Sequence, residues 1–313
     1  MSFNSVLGAK LEADFYCHPD WQKVFSGIED PLQTIADLGL KTVEFSLKAE
    51  FEEKEVLSLL DRCLKHDLKI NLHPYTKGEN NPACFEDKKG NIARERGRCF
   101  LEISHKVSRI QGRRTVLILH GASTAEIQES PFSRKERNYF LERTNCFFKW
   151  LERYAQRKNL EVLIVSELQI APSPEEHFFR IGDSYPEVLE TIRETDLGIC
   201  WDTGHAYFSY LRKGVSLIPS ADFVKKVKHV HLHDVQRGED HQPLSAGTIP
   251  LSGYLALLKK FDFSGDITLE ISPRAIASAG RFEKVMQDCL KRVEETAGVE
   301  LPIFKQKNPY VIG

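Results

Sequence analysis

The sequence predicts an α/β fold, a (β/α)8 barrel built by the whole 313-residue chain as one domain. Eight short β-branched runs recur with amphipathic helical stretches between them, the alternation that builds a parallel sheet. The length is that of one barrel with modest insertions, and no Gly-x-Gly-x-x-Gly follows the first run, as a doubly wound dinucleotide-binding sheet would require.

The candidate strands are 6–10, 42–47, 69–73, 115–120, 161–167, 198–202, 228–233 and 266–271. Between them, apolar residues fall at three and four spacing, as in Leu57, Leu60, Cys63 and Leu64 and again in Leu255 and Leu258, which marks helices with one buried face. Ser133 with Glu136 has the spacing of a capping box, and so do Ser173-Pro174 with Glu176, the second with proline at the first helical position. Residues 74–98, with Gly78, Asn80, Asn81, Pro82 and Gly90, read as one extended loop after the third strand, of the kind that carries function. No linker, repeat or low-complexity segment divides the chain.

Composition narrows the classes. Hydrophobic residues at 41% and charged residues at 28%, with no run of 18 apolar residues, describe a soluble globular chain and exclude a membrane-spanning helix. The N-terminal stretch lacks the basic and apolar regions of a secretory signal, so a cytoplasmic location is expected. Seven scattered cysteines without a Cys-x-x-Cys pair argue against a disulfide framework and a thiolate zinc site. A net charge of -2 gives no global field for nucleic acid.

Chemistry is carried by where histidines and carboxylates fall. His73, His120, His205, His231 and His241 lie at or just beyond the C-terminal ends of strands three, four, six and seven, and Glu167, Asp202 and Glu270 end strands five, six and eight. In a barrel these ends form the catalytic rim. Gathering that many imidazoles and carboxylates in one mouth costs several kcal/mol per charge unless a cation compensates them, on the order expected for buried ions. Imidazole with carboxylate and no thiolate suits Zn²⁺, Mn²⁺ or Co²⁺.

The motifs LHPY (72–75), LHGAS (119–123), SEL (166–168), WDTGHA (201–206), HVHLHD (229–234), DHQPLSAGTI (240–249) and ITLEIS (267–272) together resemble the xylose isomerase-like TIM barrel superfamily. That superfamily holds sugar isomerases and epimerases and also endonuclease IV. The resemblance runs from strand two to strand eight. It implies a metal site of Glu167, Asp202, His231 and Glu270, as in the ketose epimerases, where the two glutamates are also the acid and base. Such chemistry takes a proton from carbon beside a carbonyl and needs a carboxylate in reach and a Lewis acid for the enediolate charge. The resemblance further implies that His205 and Arg237 hold substrate oxygens. His229 and His233 share a strand face with His231, and only the resemblance selects among the three.

The similarity to endonuclease IV implies a different outcome, a multinuclear zinc cluster with additional ligands at His73, His120, His205, His241 and Glu239, with Asp240 competing for the last position. One to three ions are therefore compatible with the chain. Strand two, VEFSL, looks like the isomerase branch; SAG at 245–247 stands where many relatives carry GEG, which removes one carboxylate. The basic segment 88–114 has the composition of a phosphate or DNA contact, or of a solvated helix face. Tyr75, Phe85 and Tyr207 are candidates to stack on a sugar or to anchor loops, and Trp201 is expected in the core. The expected function is a divalent-metal-dependent isomerase or epimerase of a sugar, sugar phosphate or related polyol. A zinc-dependent apurinic-site endonuclease is the alternative, and a non-catalytic metal-binding barrel the third. The expected partner is a small carbohydrate, with nucleic acid less favoured and homo-oligomerisation left open.

Overall fold

In a computed structural model describing residues 7–48, 50–123, 133–172, 179–244 and 247–297, eight parallel strands close into a barrel. These are β1 (Leu7–Glu12), β2 (Thr42–Leu47), β3 (Lys69–Pro74), β4 (Thr115–Leu119), β5 (Val162–Glu167), β6 (Gly198–Asp202), β7 (Val227–Leu232) and, after a small hairpin of β8 (Asp234–Gln236) and β9 (Glu239–Gln242), β10 (Asp266–Leu269). The barrel closes in the order β1-β10-β7-β6-β5-β4-β3-β2, so each strand pairs with its sequence neighbour and β10 meets β1. Residue 6 of the first candidate strand lies outside the described residues, as do residues 173–178 with the second expected cap, and 245–246.

Alternation along each strand divides the side chains between two environments. Val43, Phe45, Leu72, Leu117, Ile199, Trp201 and Ile267 pack outward into one large apolar core beneath the helices. Inside the barrel a separate small cluster of Val116, Ile118, Val165 and Cys200 fills the side formed by β4, β5 and β6. The opposite side of the interior is polar: Glu44 on β2 reaches across to His229 and His231 on β7, and Asn71 on β3 bonds Asp266 on β10 at 2.8 Å. Such contacts between non-neighbouring strands fix those side chains inward.

One expectation changes here. The segment after β3 is shorter than 74–98: it holds single 3-10 turns at Gly78–Asn80 and Pro82–Cys84 and ends where Asn91 caps the helix Ile92–Gln111, its side chain accepting from the Arg94 amide at 3.0 Å. Several basic residues of the basic segment stand in ion pairs away from the cavity, Lys106 with Glu53 at 2.6 Å and Arg98 with Glu95 at 3.1 Å, and Arg113, beyond the helix, meets Asp266 of β10 at 2.7 Å. The Ser133–Glu136 capping box is present at the start of Arg134–Lys158. All seven cysteines are free. No helix among the described residues is long and apolar enough to cross a membrane.

Candidate metal centre

The C-terminal strand ends converge on a cavity of about 400 Å³, within the size range of small-molecule sites. At its base Glu167 (β5), Asp202 (β6), His231 (β7) and Glu270 (after β10) bring one ligand atom each within 4.8 Å of one another, all buried. His231 Nδ1 is 2.5 Å from Glu270 Oε2, 3.6 Å from Asp202 Oδ2 and 3.7 Å from Glu167 Oε1. Glu167 also belongs to a second group with His73 and His120, whose Nε2 atoms lie 3.0 and 3.2 Å from its Oε2. Asp202 belongs to a third with His205, His233 and His241.

The donor set fits a metal ion. Glu167 Oε2, His231 Nδ1, Glu270 Oε2 and His205 Nε2 are buried without hydrogen-bond partners, although charged neighbours stand close by. Carboxylate oxygens and imidazole nitrogens crowded together in this way are the arrangement a divalent cation satisfies, and buried without one they carry a large desolvation cost. The donors are oxygen and imidazole nitrogen, a set that suits a divalent ion. Cys200 lies close to His229 and His231, but burial pushes its thiol up and keeps it protonated.

Local sequence explains the precision. Asp202 ends β6 and caps the helix Thr203–Lys213, taking the His205 amide on Oδ1 at 2.7 Å. His205 Nδ1 donates to the Leu168 carbonyl at 3.0 Å, which turns Nε2 to the cavity. Gly204 is required between them, because a Cβ there would stand 2.0 Å from the His233 ring. His233 is spent on structure: its Nδ1 accepts the His241 amide at 2.9 Å, and its Nε2 donates to Asp202 Oδ1 at 3.0 Å.

Glu44 and Lys10 belong to the site, and the sequence reading passed over both. Glu44 is fully buried and accepts from His73 Nδ1 (3.0 Å), His229 Nε2 (2.8 Å) and His231 Nε2 (3.0 Å). It thereby holds hydrogen on the far nitrogen of two candidate ligands and leaves the near nitrogen free. Lys10 on β1 ion-pairs with Glu270 Oε1, lines the cavity and lies 5.5 Å from the Tyr75 ring centroid.

The electrostatics follow from this crowding. Burial alone would raise the Glu167 carboxyl, but His120, His73 and His231 outweigh it and hold it well below the usual carboxylate range. Glu270 is held down in the same way, against burial, by His231, Lys10 and His241. Burial would lower His231, yet the carboxylates of Glu270, Glu44 and Glu167 around it raise it well above its ordinary value. His205 goes the other way, lowered to about 4 chiefly by burial.

The remaining expected site residues divide. His73, His120, His205 and His241 all line the cavity. Arg237 and Glu239 do not: Arg237 and Gly238, both at positive φ, form the two-residue tip of the β8–β9 hairpin, and Arg237 and Glu239 are exposed. Asp240 occupies the position Glu239 was expected to fill, 3.1 Å from His241 Nδ1 and 4.0 Å from His205 Nε2. Tyr75 lines the cavity, whereas Phe85 is buried against Phe147 and Trp150 and Trp201 packs outside the sheet on Tyr254.

Residues 32–292 match the family model described as xylose isomerase-like TIM barrel. A stretch of 155 residues is 27% identical to an uncharacterized protein of Methanocaldococcus jannaschii, covering 47% of this chain and about half, 53%, of that relative. Among solved structures, D-psicose 3-epimerase from Clostridium cellulolyticum H10 aligns with a TM-score of 0.61 at 11% identity, over 93% of this chain and 99% of that one. For 3-keto-D-glucoside 4-epimerase from E. coli the values are 0.60, 12%, 92% and 98%. A D-tagatose 3-epimerase-like protein gives 0.58 at 17% identity over 93% and 98%. At these identities the likeness is one of fold.

Proposed function

The chain belongs to the xylose isomerase-like TIM barrel family, and from that premise we propose that it is a divalent-metal-dependent isomerase or epimerase of a carbohydrate. The observation that carries this is the pairing of Glu167 and Glu270 around His231 and Asp202 at the base of the cavity. Each glutamate presents one buried oxygen with no well-aligned hydrogen bond, and the two come from strands three apart around the barrel, β5 and the end of β10. Carboxylates so placed can take a proton from one face of a bound carbon and return it to the other. A bound divalent ion would supply Lewis-acid polarisation of the substrate's carbonyl and hydroxyl oxygens. Glu167, Asp202, His231 and Glu270 would hold it, His205 would orient substrate oxygens through Nε2, and Glu44 would fix the imidazole hydrogens. The likeness in fold to two sugar epimerases and to an epimerase-like protein agrees with this reading.

The test is Glu167→Gln assayed for ketose interconversion by proton exchange with deuterated water. The variant should fold with the wild-type circular dichroism spectrum and lose turnover; wild-type exchange in it would refute the assignment. A second reading, phosphodiester hydrolysis by a multinuclear centre at apurinic sites in DNA, is favoured by the two further groups that share Glu167 and Asp202. Elemental analysis separates the two. One ion per chain, unaffected by His73→Ala or His120→Ala, supports the isomerase, whereas two or three zinc ions that fall in number with those substitutions support the nuclease. Metal bound with neither activity would leave a binding barrel.

A further inference from the structure

Lys10 is the one lysine buried among the described residues. It stands inside the barrel on β1, between Ala9 and Leu11, which belong to the apolar core outside the sheet. A buried ammonium persists only where carboxylates meet it. Lys10 Nζ ion-pairs with Glu270 Oε1 and lies 4.0 Å from Glu44 Oε1, the same oxygen that accepts from His73 Nδ1 at 3.0 Å. The ammonium therefore lies between two of the ligand groups. It reaches the Glu167–Asp202–His231–Glu270 group through Glu270 and the His73–His120–Glu167 group through Glu44.

The second of these groups is built to ligate. His73 Nε2 and His120 Nε2 face Glu167 Oε2 at 3.0 and 3.2 Å, and Glu44 holds the His73 hydrogen on the far nitrogen. Its weakness is charge. Its carboxylate is Glu167, which the first group shares, so two ions would draw on one negative charge there. A second ion at His73 would also face the Lys10 ammonium across Glu44, in surroundings where burial keeps such repulsion from being screened. At the first group, Lys10 occupies Glu270 Oε1 and leaves that glutamate only Oε2, the atom 2.5 Å from His231 Nδ1, to give to an ion. A tethered ammonium, unlike a free counterion, is not displaced by mass action.

We propose that Lys10 is a built-in monovalent cation that sets the metal count, holding the mouth to one divalent ion and keeping metal out of the His73–His120–Glu167 group. This rests on the isomerase reading and adds what confines that chemistry to a single ion. Lys10 acts through Glu270 and Glu44, as a positioning residue.

The experiment measures Zn²⁺ per chain by elemental analysis after dialysis of the full chain at buffered free zinc, with chelator competition for each step. Wild type and Lys10→Arg should hold one ion and Lys10→Met two. The added ion should leave again in the double variant Lys10→Met/His120→Ala. The first ion should bind about tenfold more tightly in Lys10→Met, because the competing positive charge is gone. Lys10→Gln carries the same expectation and replaces the methionine variant if circular dichroism shows that one unfolded. One ion in the neutral variant, bound as in wild type, overturns the inference and leaves the isomerase reading standing. Two ions in Lys10→Arg also overturn it, since charge is then not the cause, and so does an added ion that survives His120→Ala, since it then sits elsewhere. Two or three ions in the wild type, falling in number with His73→Ala, overturn the inference and the isomerase reading together.

Discussion

Replacing Glu44 by glutamine removes one charge and almost no volume, and its consequence follows from hydrogen-bond direction. Glu44 Oε1 accepts from His73 Nδ1, and Oε2 accepts from both His229 Nε2 and His231 Nε2. A glutamine offers one acceptor oxygen and one NH₂ donor. If the NH₂ faces His73, that imidazole must carry its hydrogen on Nε2, the atom 3.0 Å from Glu167, and cannot give a lone pair to a metal there. If it faces the other pair, His231 must carry its hydrogen on Nδ1, the atom aimed at Glu270, Asp202 and Glu167. Neither rotamer satisfies both ligands. One buried donor left against another costs about 1–3 kcal/mol, and at ~1.4 kcal/mol per decade that is roughly 5- to 150-fold in metal affinity, overlapping the range in which disturbed outer-shell partners usually fall.

The assay is competition of Zn²⁺ or Mn²⁺ against a chelator of known affinity, with thermal unfolding of the metal-free protein alongside it. Glu44→Gln should bind metal at least tenfold more weakly. Metal affinity within twofold of wild type would refute the reasoning, since it would mean that Glu44 does not set the tautomers. Glu44→Ala is less informative: it strands three imidazole N–H groups at about 1–3 kcal/mol each, enough to threaten a fold whose total margin is on the order of 5–15 kcal/mol.

Asp240→Asn should lower metal affinity while Glu239→Gln leaves it unchanged, because Asp240 faces His241 and His205 and Glu239 is exposed on the hairpin; the reverse result in the same competition assay would restore the original assignment. Gly204→Ala should cost about 1–3 kcal/mol through overpacking, seen as a lower midpoint of thermal unfolding, because the new Cβ would overlap the His233 ring and break its bond to Asp202; an unchanged midpoint contradicts the close approach. The metal-free protein should lose stability as pH rises. His231 and His241, raised by the carboxylates around them against burial, contribute stability that is complete below about pH 6.5 and disappears as pH climbs through their elevated folded values. Stability from the depressed carboxyls of Glu167 and Glu270 is present above their ordinary values and lost only on acidification. Metal binding requires neutral imidazole, so the stabilisation by added Zn²⁺ should grow over the alkaline interval in which the metal-free midpoint falls; parallel pH dependences would contradict this.

Much of the barrel is legible in the sequence because its determinants are local. Runs such as TVEFSL and TVLIL are β-branched and bounded by turn residues, and they coincide with β2 and β4. Residues at strand ends are fixed by the same reading, which is why His73, Glu167, Asp202, His231 and Glu270 could be named together. Glu44 and Lys10 could not, since their meaning lies in partners 187 and 260 positions away. The available signal was a charged residue, Lys10 or Glu44, flanked on both sides by apolar ones within LGAKLE and TVEFSL, where alternation places it inside a closed barrel. Arg237, which the resemblance implied as a substrate contact, sits away from the cavity because it forms the tight Arg237-Gly238 turn of the β8–β9 hairpin, where it is exposed.

The charge inventory links these details to the metal question. Four buried carboxylates, Glu44, Glu167, Asp202 and Glu270, surround the mouth, and the one buried lysine there, Lys10, neutralises one of them. Three negative charges remain to be met in surroundings where an uncompensated charge costs several kcal/mol, on the order given by buried ion pairs. One divalent ion meets two. The third then falls to an imidazolium, for which His241 is placed, its Nε2 lying 3.2 Å from Glu270 and its Nδ1 3.1 Å from Asp240. A second ion would instead make that imidazolium redundant and displace its proton, leaving His241 neutral and free to ligate. The protonation state of His241 in the metal-loaded protein, observable by nitrogen NMR of the imidazole, therefore reports the same distinction as the metal count. A cationic His241 belongs with a single ion and proton-transfer chemistry, and a neutral one with a cluster.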